Sequence, residues 1–485
     1  MPLPRLRAEW APSVTRELMA GAVATFALIP EVIAFSFVAG VDPSVGLFAS
    51  FVISVVIAFT GGRPAMISAA AGSVALVAAP LVHAHGLPYL LAAGVLAGLV
   101  QVLFGLLRMG ALMRFVSSSV RTGFVNALAI LIFAAQTPHV LGADAMTWGM
   151  LVLGLAIIYL VPRLTTAVPS PLICILVLTT LASSLKLPLK TVADLGHLPD
   201  ALPVFNGLSV PLTIETLRLI ALPALAIAMV GLLESLMTAK VVDELTDTPS
   251  SKNREAGGLG IANLAASLFG GIAGCGMIGQ TVSNVRYGGR GRLSTLFAGA
   301  FLLILMVLLK PWASKVPVVA LVAIMVMVSV ATFDWRSLRT VVSHPRLDSS
   351  VMLATVAVTV ATGNLAAGVT VGVLLSGVFF TFRVARLLDV RMEDDTATGL
   401  RTYRVSGQVF FASAELFVDA FDTRDTENRP VRIDVTQAHF WDVTGVAALD
   451  KVVQRLRRHG STVDVVGLNR ASEIMIDMVG PQKPD

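Results

Sequence analysis

Two carboxylates stand in apolar surroundings where charged residues are unusual. Glu31 lies in the run ALIPEVIAF, directly after Pro30, and Glu234 lies in VGLLESLMTAK. Ionisable residues inside apolar spans are rare and mark proton, ion or substrate pathways. A carboxyl group in a low-dielectric pocket can take up and release a proton near neutral pH, because burial disfavours its charged form. The pair therefore predicts proton coupling or, as an alternative, a cation site.

A structural role is the alternative for both acids. Glu31 would then satisfy backbone groups that Pro30 leaves free. Thr238 lies one helical turn beyond Glu234 and would share a bound cation. Phe35 lies one turn beyond Glu31 on the same helix face and would line a pocket wall, although a Phe in such a run more often serves packing.

Two further segments are too broken for full helices. They are PAMISAAAGSVALVAAPLV (residues 64–82) and GCGMIGQTVSNVRY (residues 274–287). Each begins with small residues and a Met-Ile pair, which predicts a short extended piece followed by half a helix. Short, glycine-interrupted segments at matching positions of two halves point to a transporter binding site. The residues expected at the two half-helix starts are Gly72, Ser73, Val74, Gln280 and Thr281.

Half-helices that begin inside a membrane would present free N–H groups there. Each helix N-terminus carries roughly half a positive charge, so such ends bind anions without a basic side chain. Gly72 permits close approach of the backbone, and Ser73 and Thr281 are expected to cap the helices or donate to a ligand. Tight helix packing by small residues is the alternative.

Composition places these segments in a membrane. The chain has 485 residues, of which 55% are apolar and 14% charged, and its mean hydropathy is +0.80. Soluble domains carry about 25% charged residues, so an ordinary soluble enzyme and a disordered chain are both excluded. Apolar runs that can span a bilayer lie near 17–38, 43–60, 88–107, 115–136, 147–163, 169–185, 216–239, 256–272, 293–310, 316–333, 348–363 and 366–384.

The two broken segments raise the count to fourteen, with seven in each half. An odd number per half requires the halves to have inverted orientations. With a cytoplasmic N-terminus, most Lys and Arg before the tail fall on the cytoplasmic face, as the positive-inside rule demands. The opposite face keeps only Lys186, Lys190, Arg218, Lys310 and Lys315. This bias predicts that both broken segments cross the membrane.

From about residue 400 the pattern becomes that of a small soluble domain. The strand-like runs TYRVSGQVFF, VRIDVTQA and STVDVVGL alternate with the helix-like runs AELFVDAFDT, GVAALDKVVQRLRRHG and NRASEIMIDMVG. Such alternation predicts a small α/β domain. It has no glycine-rich phosphate loop, so we expect it to serve regulation, assembly or folding rather than chemistry.

Other chemistries lack their required residues. The sequence has no G-x-x-x-x-G-K-[ST] loop and no H-E-x-x-H motif. His83 and His85 lie in a predicted outer loop without a third metal ligand, so solvated histidines are the better interpretation. Cys174 and Cys275 form neither a disulfide framework nor a metal-ligand spacing. We therefore expect no enzyme, no cofactor and no metal centre.

These features resemble the sulfate permease (SulP) family of anion transporters, the solute carrier 26 group of animals. IPEVIAFSFVAGVDPSVGLFASF resembles its opening signature, and VGLLESLMTAKVVDELT with NREAGGLGIANLAASLFGGIAGCGMIGQTVSNVRYGGRGRLSTLFAG resembles its second-half signature. The tail resembles a STAS domain. Residues 442–445 match the STAS loop in which related anti-sigma antagonists carry a phosphorylated Ser or Thr, so Thr444 is a candidate regulatory site.

The resemblance implies an α-helical membrane protein with fourteen segments in a seven-plus-seven inverted repeat. Residues 1–16 would form a cytoplasmic N-terminus, 17–390 a transport domain and 399–485 a STAS domain. Spans 1–4 and 8–11 would form a core that moves like an elevator against a gate of spans 5–7 and 12–14. It further implies a homodimer in the bacterial inner membrane with cytoplasmic termini. A cytoplasmic regulator would bind the STAS domain, and no nucleic acid is involved.

Two positions depart from the family pattern. The usual Gln after the first-span Pro is Glu31, and the usual Arg or Lys at the start of the second half-helix is Gln280. The pocket should therefore attract an anion only weakly unless a proton enters with it. We expect symport of an anion with H⁺, or with Na⁺ as the alternative. The expected substrate ligands are Glu31, Phe35, Gly72, Ser73, Val74, Gln280 and Thr281, and the expected coupling residues are Glu31, Glu234 and Thr238.

The sequence leaves the substrate open. Sulfate, bicarbonate and C4-dicarboxylates all lie within the range of the family that the chain resembles. Two alternatives stand beside anion symport: a nucleobase:proton symporter of the same fold, and an anion channel or sensor.

Overall fold

The computed structural model describes residues 9–110, 116–164, 169–195, 204–211, 213–343, 346–395, 398–421 and 429–468. Contacts divide the chain into two compact units, Met1–Val373 and Leu374–Asp485. The first unit contains most of the apolar helices, and the second contains a four-stranded sheet. Each unit has a hydrophobic core of its own.

In the first half of the first unit, the described elements are helices and one two-residue strand, β1 (Ser68–Ala69). A 3₁₀ turn at Thr137–His139 and a short helix at Val192–Leu195 connect longer elements. The numbered helices are α1 (Val14–Ala39), α2 (Pro43–Thr60), α3 (Gly72–His85), α4 (Leu87–Leu106), α5 (Ser118–Gln136), α6 (Ala145–Leu164) and α7 (Ser170–Ser184).

The second half repeats this plan with its own short strand, β2 (Cys275–Gly276). A short helix at Trp335–Ser343 connects two of the longer ones. The numbered helices are α8 (Ile214–Thr246), α9 (Lys252–Leu268), α10 (Ile278–Arg286), α11 (Arg292–Ala313), α12 (Val318–Thr332), α13 (Arg346–Thr362) and α14 (Leu365–Ala385).

Each predicted segment coincides with one of the helices α1–α14. Eight helices of the described residues are long and apolar enough to cross a membrane, and α3, α7, α12 and most of α13 are shorter apolar helices. The predicted helical membrane fold is therefore confirmed. The fourteen crossings and the inverted repeat stay predictions.

Helices from both halves pack together in what we call the core group, α1–α4 and α8–α11. Here α9 packs on α4 and α2, and α11 packs on α1 and α2. Glycines allow the closest approach: a Cβ atom at Gly98 would lie 2.8 Å from the carbonyl oxygen of Gly260, and one at Gly260 would lie 2.6 Å from that of Gly98. Small residues are the usual means of close helix contact in membranes.

The remaining helices form the gate group, α5–α7 and α12–α14. Within it α13 packs on α5, and α12 packs on α5, α6 and α7. The two groups meet where α1 contacts α12 and α7, and where α3 contacts α5. Whether the groups move as a core and a gate stays a prediction.

The second unit contains, after the end of α14, the small α/β domain that the tail pattern predicts. Its sheet has the order β3-β4-β5-β6, with β3 antiparallel to β4 and the other neighbours parallel. Parallel neighbours need crossover connections, which contain α15 and α16. The elements are β3 (Asp389–Asp394), β4 (Arg401–Val409), α15 (Ala414–Asp419), β5 (Pro430–Phe440), α16 (Val443–Arg458) and β6 (Thr462–Val466).

Strand β3 is absent from the sequence-based expectation. Five of its six residues are exposed and only Val390 packs against the core of this unit, so its charged sequence DVRMED lacks the apolar alternation that marks a half-buried strand. The predicted final helix, residues 469–480, lies outside the described residues, as do residues 1–8 of the predicted N-terminus, residues 1–16.

Candidate anion-binding site

The two broken segments meet as a strand pair. β1 runs antiparallel to β2, with Ser68 opposite Gly276 and Ala69 opposite Cys275. Each strand leads directly into a half-helix, α3 after β1 and α10 after β2. The predicted order of short strand and half-helix is thus confirmed in both segments, and the antiparallel pairing brings the two helix starts to one place.

Buried polar side chains satisfy the irregular backbone around β1. Non-helical backbone at membrane depth survives only where protein or a cavity supplies partners. The Thr281 hydroxyl accepts a hydrogen bond from the Ile67 N–H group (3.0 Å), and the Asn284 amide donates to the Ala65 carbonyl (2.9 Å). Further hydroxyl partners of residues 66–70 come from Ser50, Ser54 and Thr295.

The backbone around β2 is held in the same way from other helices. Asn263 accepts from the Gly274 N–H group (2.9 Å) and donates to the Gly274 carbonyl (3.1 Å). Ser235 accepts from the Gly276 N–H group (2.8 Å), and the Thr238 hydroxyl lies 2.8 Å from the Gly276 carbonyl oxygen. Thr238 is fully buried and its hydroxyl supports β2. That it shares a bound cation with Glu234 stays a prediction.

Neither half-helix has a side-chain cap. The N-cap residues are Ala71 for α3 and Met277 for α10, and no side chain caps either end. The expected capping by Ser73 and Thr281 is therefore wrong, and α10 begins at Ile278, two residues before Gln280. The first N–H groups of a helix lack intrahelical partners, which leaves the two starts able to hold an anion.

A cavity of about 470 Å³ lies beside both half-helix starts. Helices α1, α3, α8 and α10 form one wall, and α5, α7 and α12 form the other. The cavity is lined by six of the residues predicted from the sequence: Glu31, Phe35, Gly72, Ser73, Glu234 and Gln280. Val74, Thr238 and Thr281 are buried behind this surface and do not line it.

The two carboxyl groups are both half-buried at this cavity. Gln280 lies next to Glu31 and interacts with its carboxyl group. Ser73 donates its hydroxyl hydrogen to Glu234, and the Cys275 sulfur lies 3.7 Å from the Ser73 oxygen. No backbone group of the described residues donates to Glu31, so the structure gives no support to a role in satisfying backbone freed by Pro30.

Lys, Arg and His are all absent from the described residues that line the cavity. Among the described lining residues, positive potential therefore comes from the α3 and α10 termini, about half a charge each, while Glu31 and Glu234 supply two acids.

Phe35 and Gly72 are in close contact. A Cβ atom at residue 72 would lie 2.6 Å from the Phe35 ring, which is closer than side-chain atoms approach. Phe35 is 3% exposed and shapes the wall beside the α3 start. Glycine at residue 72 is thus required for the ring to lie there.

The opposite wall belongs to the gate group and is apolar apart from Thr332. Sequence reasoning missed its residues, since apolar side chains in a membrane span give no signal that separates a cavity wall from lipid contact. The wall consists of Phe124, Val125, Leu128, Ile132, Pro171, Met327, Val328, Ala331 and Thr332.

Two other predicted positions lie away from the cavity. His83 and His85 form the exposed last turn of α3 and not a loop. Thr444 is the exposed second residue of α16, where Asp442 caps the helix by accepting from the Gly445 N–H group (2.8 Å).

Known anion transporters are similar to this chain in sequence and in fold. YbaR of Bacillus subtilis is 50% identical over 471 residues, which cover 97% of this chain and 98% of YbaR. The bicarbonate transporter BicA of Picosynechococcus is 26% identical over 507 residues, covering 94% and 89% of the two chains. The inward-facing structure of the murine solute carrier 26 anion transporter A9 shares the fold, with a TM-score of 0.83, 17% identity and coverage of 96% and 87%.

Two family profiles match the two units in order. The sulfate permease family matches residues 14–355, and the STAS domain matches residues 391–483. The matches favour anion transport over the nucleobase alternative, and these relatives are transporters, not enzymes. The chain belongs to the sulfate permease family of membrane anion transporters and carries a C-terminal STAS domain.

Proposed function

We propose that this protein is a proton-coupled anion symporter whose substrate binds in the cavity between the α3 and α10 starts. One observation carries the proposal: two carboxyl groups, Glu31 and Glu234, line a cavity whose described residues include no cationic side chain.

The charges explain why a proton is needed. Two helix termini contribute about one positive charge in total, and two ionised carboxylates would outweigh it. An anion would then be repelled. Protonation of one acid neutralises the site and protonation of both makes it attractive, so anion and proton binding favour each other, as thermodynamic linkage requires.

The polar ties within the core group support an elevator-like motion. Glu17 of α1 accepts hydrogen bonds from N–H groups at residues 290–294 (2.8–3.1 Å). Glu255 of α9 accepts from the N–H groups of Gly62 (2.7 Å) and Arg63 (3.0 Å). Each carboxylate joins the two halves of the chain. The core group can therefore move as one body along the apolar wall of the gate group.

The remaining parts of the proposal concern substrate, coupling ion and setting. The substrate is sulfate, bicarbonate or a C4-dicarboxylate, and the coupling ion is H⁺, with Na⁺ as the alternative. The protein lies in the bacterial inner membrane as a homodimer with both termini in the cytoplasm. There the STAS domain is open to a cytoplasmic regulator, and Thr444 is exposed for modification.

Uptake into proteoliposomes tests this function. Radiolabelled sulfate, bicarbonate and fumarate are supplied with and without an inward proton gradient, and in parallel with an inward Na⁺ gradient. We expect the proton gradient to stimulate uptake of at least one anion, and Glu31→Gln to abolish the stimulation. Uptake that depends only on Na⁺ would contradict proton coupling.

The same vesicles separate the other functions. A channel would pass anion current without any response to the proton gradient. A sensor would bind the labelled anion but show no flux. Either result would contradict symport.

A further inference from the structure

Ser73 lies between the half-helix α3 and the carboxyl group of Glu234. It is the second residue of α3, is 1% exposed and lines the cavity. Its hydroxyl donates to Oε2 of Glu234. We propose that Ser73 is an anion-binding residue that reverses its hydrogen bond when Glu234 takes up a proton, and thereby couples that proton to anion binding. This inference rests on the proposed function.

The numbers of donors and acceptors on the two side chains explain why the hydrogen bond would reverse. A serine hydroxyl has one hydrogen to donate and two lone pairs, and an ionised carboxylate only accepts. While Glu234 is ionised, the hydrogen of Ser73 is committed to it. The serine then presents only lone pairs to the cavity, which repel an anion.

Protonation changes the direction of this bond. The proton adds to a carboxylate oxygen of Glu234, and no other covalent bond forms or breaks. The resulting carboxylic acid has one O–H donor, which can point to the Ser73 oxygen. The hydrogen of Ser73 is then free to point into the cavity, next to the unpaired N–H groups at the α3 start. One proton thus removes a negative charge and supplies a donor.

Among the described residues, few other polar or titratable groups lie close enough to Ser73 to take part in its hydrogen bonding with Glu234. On β2, the Cys275 thiol lies 3.7 Å from the Ser73 oxygen. On α1, Glu31 lines the same cavity, and on α10 Gln280 presents a neutral amide. The described lining residues of α5, α7 and α12 include no titratable side chain. The protonation state of Glu234 therefore decides whether the Ser73 hydroxyl can donate a hydrogen bond to the anion.

The test measures, as a function of pH, how much Ser73→Ala weakens anion binding. Binding of radiolabelled sulfate to purified full-length protein is compared for wild type and variant from acid to alkaline pH, with bicarbonate and fumarate as further probes. In acid, where the freed hydroxyl would bind the anion, we expect Ser73→Ala to weaken binding about tenfold, the value of one hydrogen bond to a charged group. At alkaline pH the difference should nearly vanish, because the hydroxyl is already committed.

A merely structural role would give a different result. Ser73→Ala would then weaken binding by the same factor at every pH, and that outcome overturns the inference. Ser73→Thr keeps the hydroxyl and should restore the wild-type profile. Ser329→Ala is the matched control: it removes a buried serine bond to the Ala129 carbonyl (2.7 Å) away from the cavity, so any loss it causes should not vary with pH.

A second background keeps the test informative if Ser73→Ala alone folds poorly. In Glu234→Gln the side chain at residue 234 stays neutral and can donate to Ser73. Adding Ser73→Ala to this variant should therefore weaken anion binding about tenfold at every pH. If the loss of anion affinity caused by Ser73→Ala still varies with pH in this background, the proposed reversal of the Ser73–Glu234 hydrogen bond is contradicted. Failure of the proposed function looks different: wild-type binding of all three probes would then be independent of pH.

Discussion

Asn263 holds the backbone of Gly274 from both sides, accepting from its N–H group and donating to its carbonyl group. Asn263 is fully buried on α9, and Gly274 immediately precedes β2. Gln101 of α4 fixes the amide in turn by accepting from it at 2.9 Å. The side chain thus replaces the neighbouring strand that a wider sheet would supply, which lets β2 end inside the protein without unpaired groups.

Replacing Asn263 with alanine should destabilise the membrane unit. The variant leaves the N–H and carbonyl groups of Gly274 buried without these partners, and each such group costs about 1–3 kcal/mol. We expect a loss of about 3 kcal/mol, seen as a lower thermal unfolding midpoint of the purified protein in detergent.

The control for this variant is Asn364→Ala. Asn364 is exposed and accepts from N–H groups in the first turn of α14 (3.0 and 3.2 Å), so its loss should cost only about 1 kcal/mol. Equal midpoints for the two variants would show that Asn263 does not support the broken segment.

Adding one methyl group at residue 72 should impair transport. In Gly72→Ala the new Cβ would lie 2.6 Å from the Phe35 ring, so the ring must leave its place or the α3 start must shift. We expect the initial rate of anion uptake to fall at least about tenfold, in line with the effect of an ångström-scale displacement at a site.

Two companion variants locate that effect. Phe35→Leu in the Gly72→Ala background gives the methyl group space and should recover part of the rate. Gly149→Ala places a methyl group where nothing lies within 4 Å, and it should transport like wild type. If Gly72→Ala transports normally, the Phe35–Gly72 contact does not shape the site.

The broken segments were predictable because their sequences interrupt long apolar runs. Glycine and polar residues such as Ser73 and Gln280 cannot be placed against lipid without cost, so their positions revealed the half-helices. Glu31 and Glu234 were predictable for a similar reason. A carboxylate in a membrane span raises the free energy of the folded protein, so it is retained where it serves a function.

The division between ligands and supporting residues was not predictable. Thr238 and Thr281 have the residue types of candidate ligands, yet their hydroxyls bond to backbone of the broken segments, Thr238 to Gly276 and Thr281 to Ile67. Such partners are more than 30 positions away in the chain, and only the folded arrangement shows them. The apolar gate wall, including Phe124 and Met327, gave no signal for the same reason.

Acid should destabilise the STAS unit through one ion pair. The side-chain hydrogen bonds from Arg401 (2.6 and 2.7 Å) lower the pKa of Asp394 below its usual value. A carboxylate with a lowered pKa contributes stability above its unfolded-state pKa and loses it as pH falls through the folded-state pKa. The contribution is therefore present at neutral pH and disappears below about pH 4.

Asp394→Asn provides the measurement. Thermal unfolding of the second unit should begin at a lower temperature in the variant than in wild type at neutral pH, and the difference should shrink in acid. Asp419→Asn, at an exposed residue of α15, serves as the comparison. A difference between Asp394→Asn and wild type that is constant with pH would rule out the ion pair as its cause.

Removing the STAS unit should leave anion binding intact. The sequence pattern suggests a cut at residue 400, but β3 pairs with β4, so truncation after Ala385 is cleaner. All described residues that line the cavity lie before residue 333. Sulfate binding to the truncated and full-length proteins should agree within about twofold, or about 0.4 kcal/mol. Complete loss of binding in a folded truncated protein would show that the STAS unit contributes to the site.

Proton coupling can be measured as proton movement that an anion gradient drives. Vesicles containing a pH-sensitive dye receive an inward gradient of the transported anion and no imposed proton gradient. We expect acidification inside vesicles with wild-type protein and none with the Glu31→Gln/Glu234→Gln double variant, although the variant still binds the anion. Anion entry without acidification in the wild type, or equal acidification in the double variant, would contradict the proposed coupling.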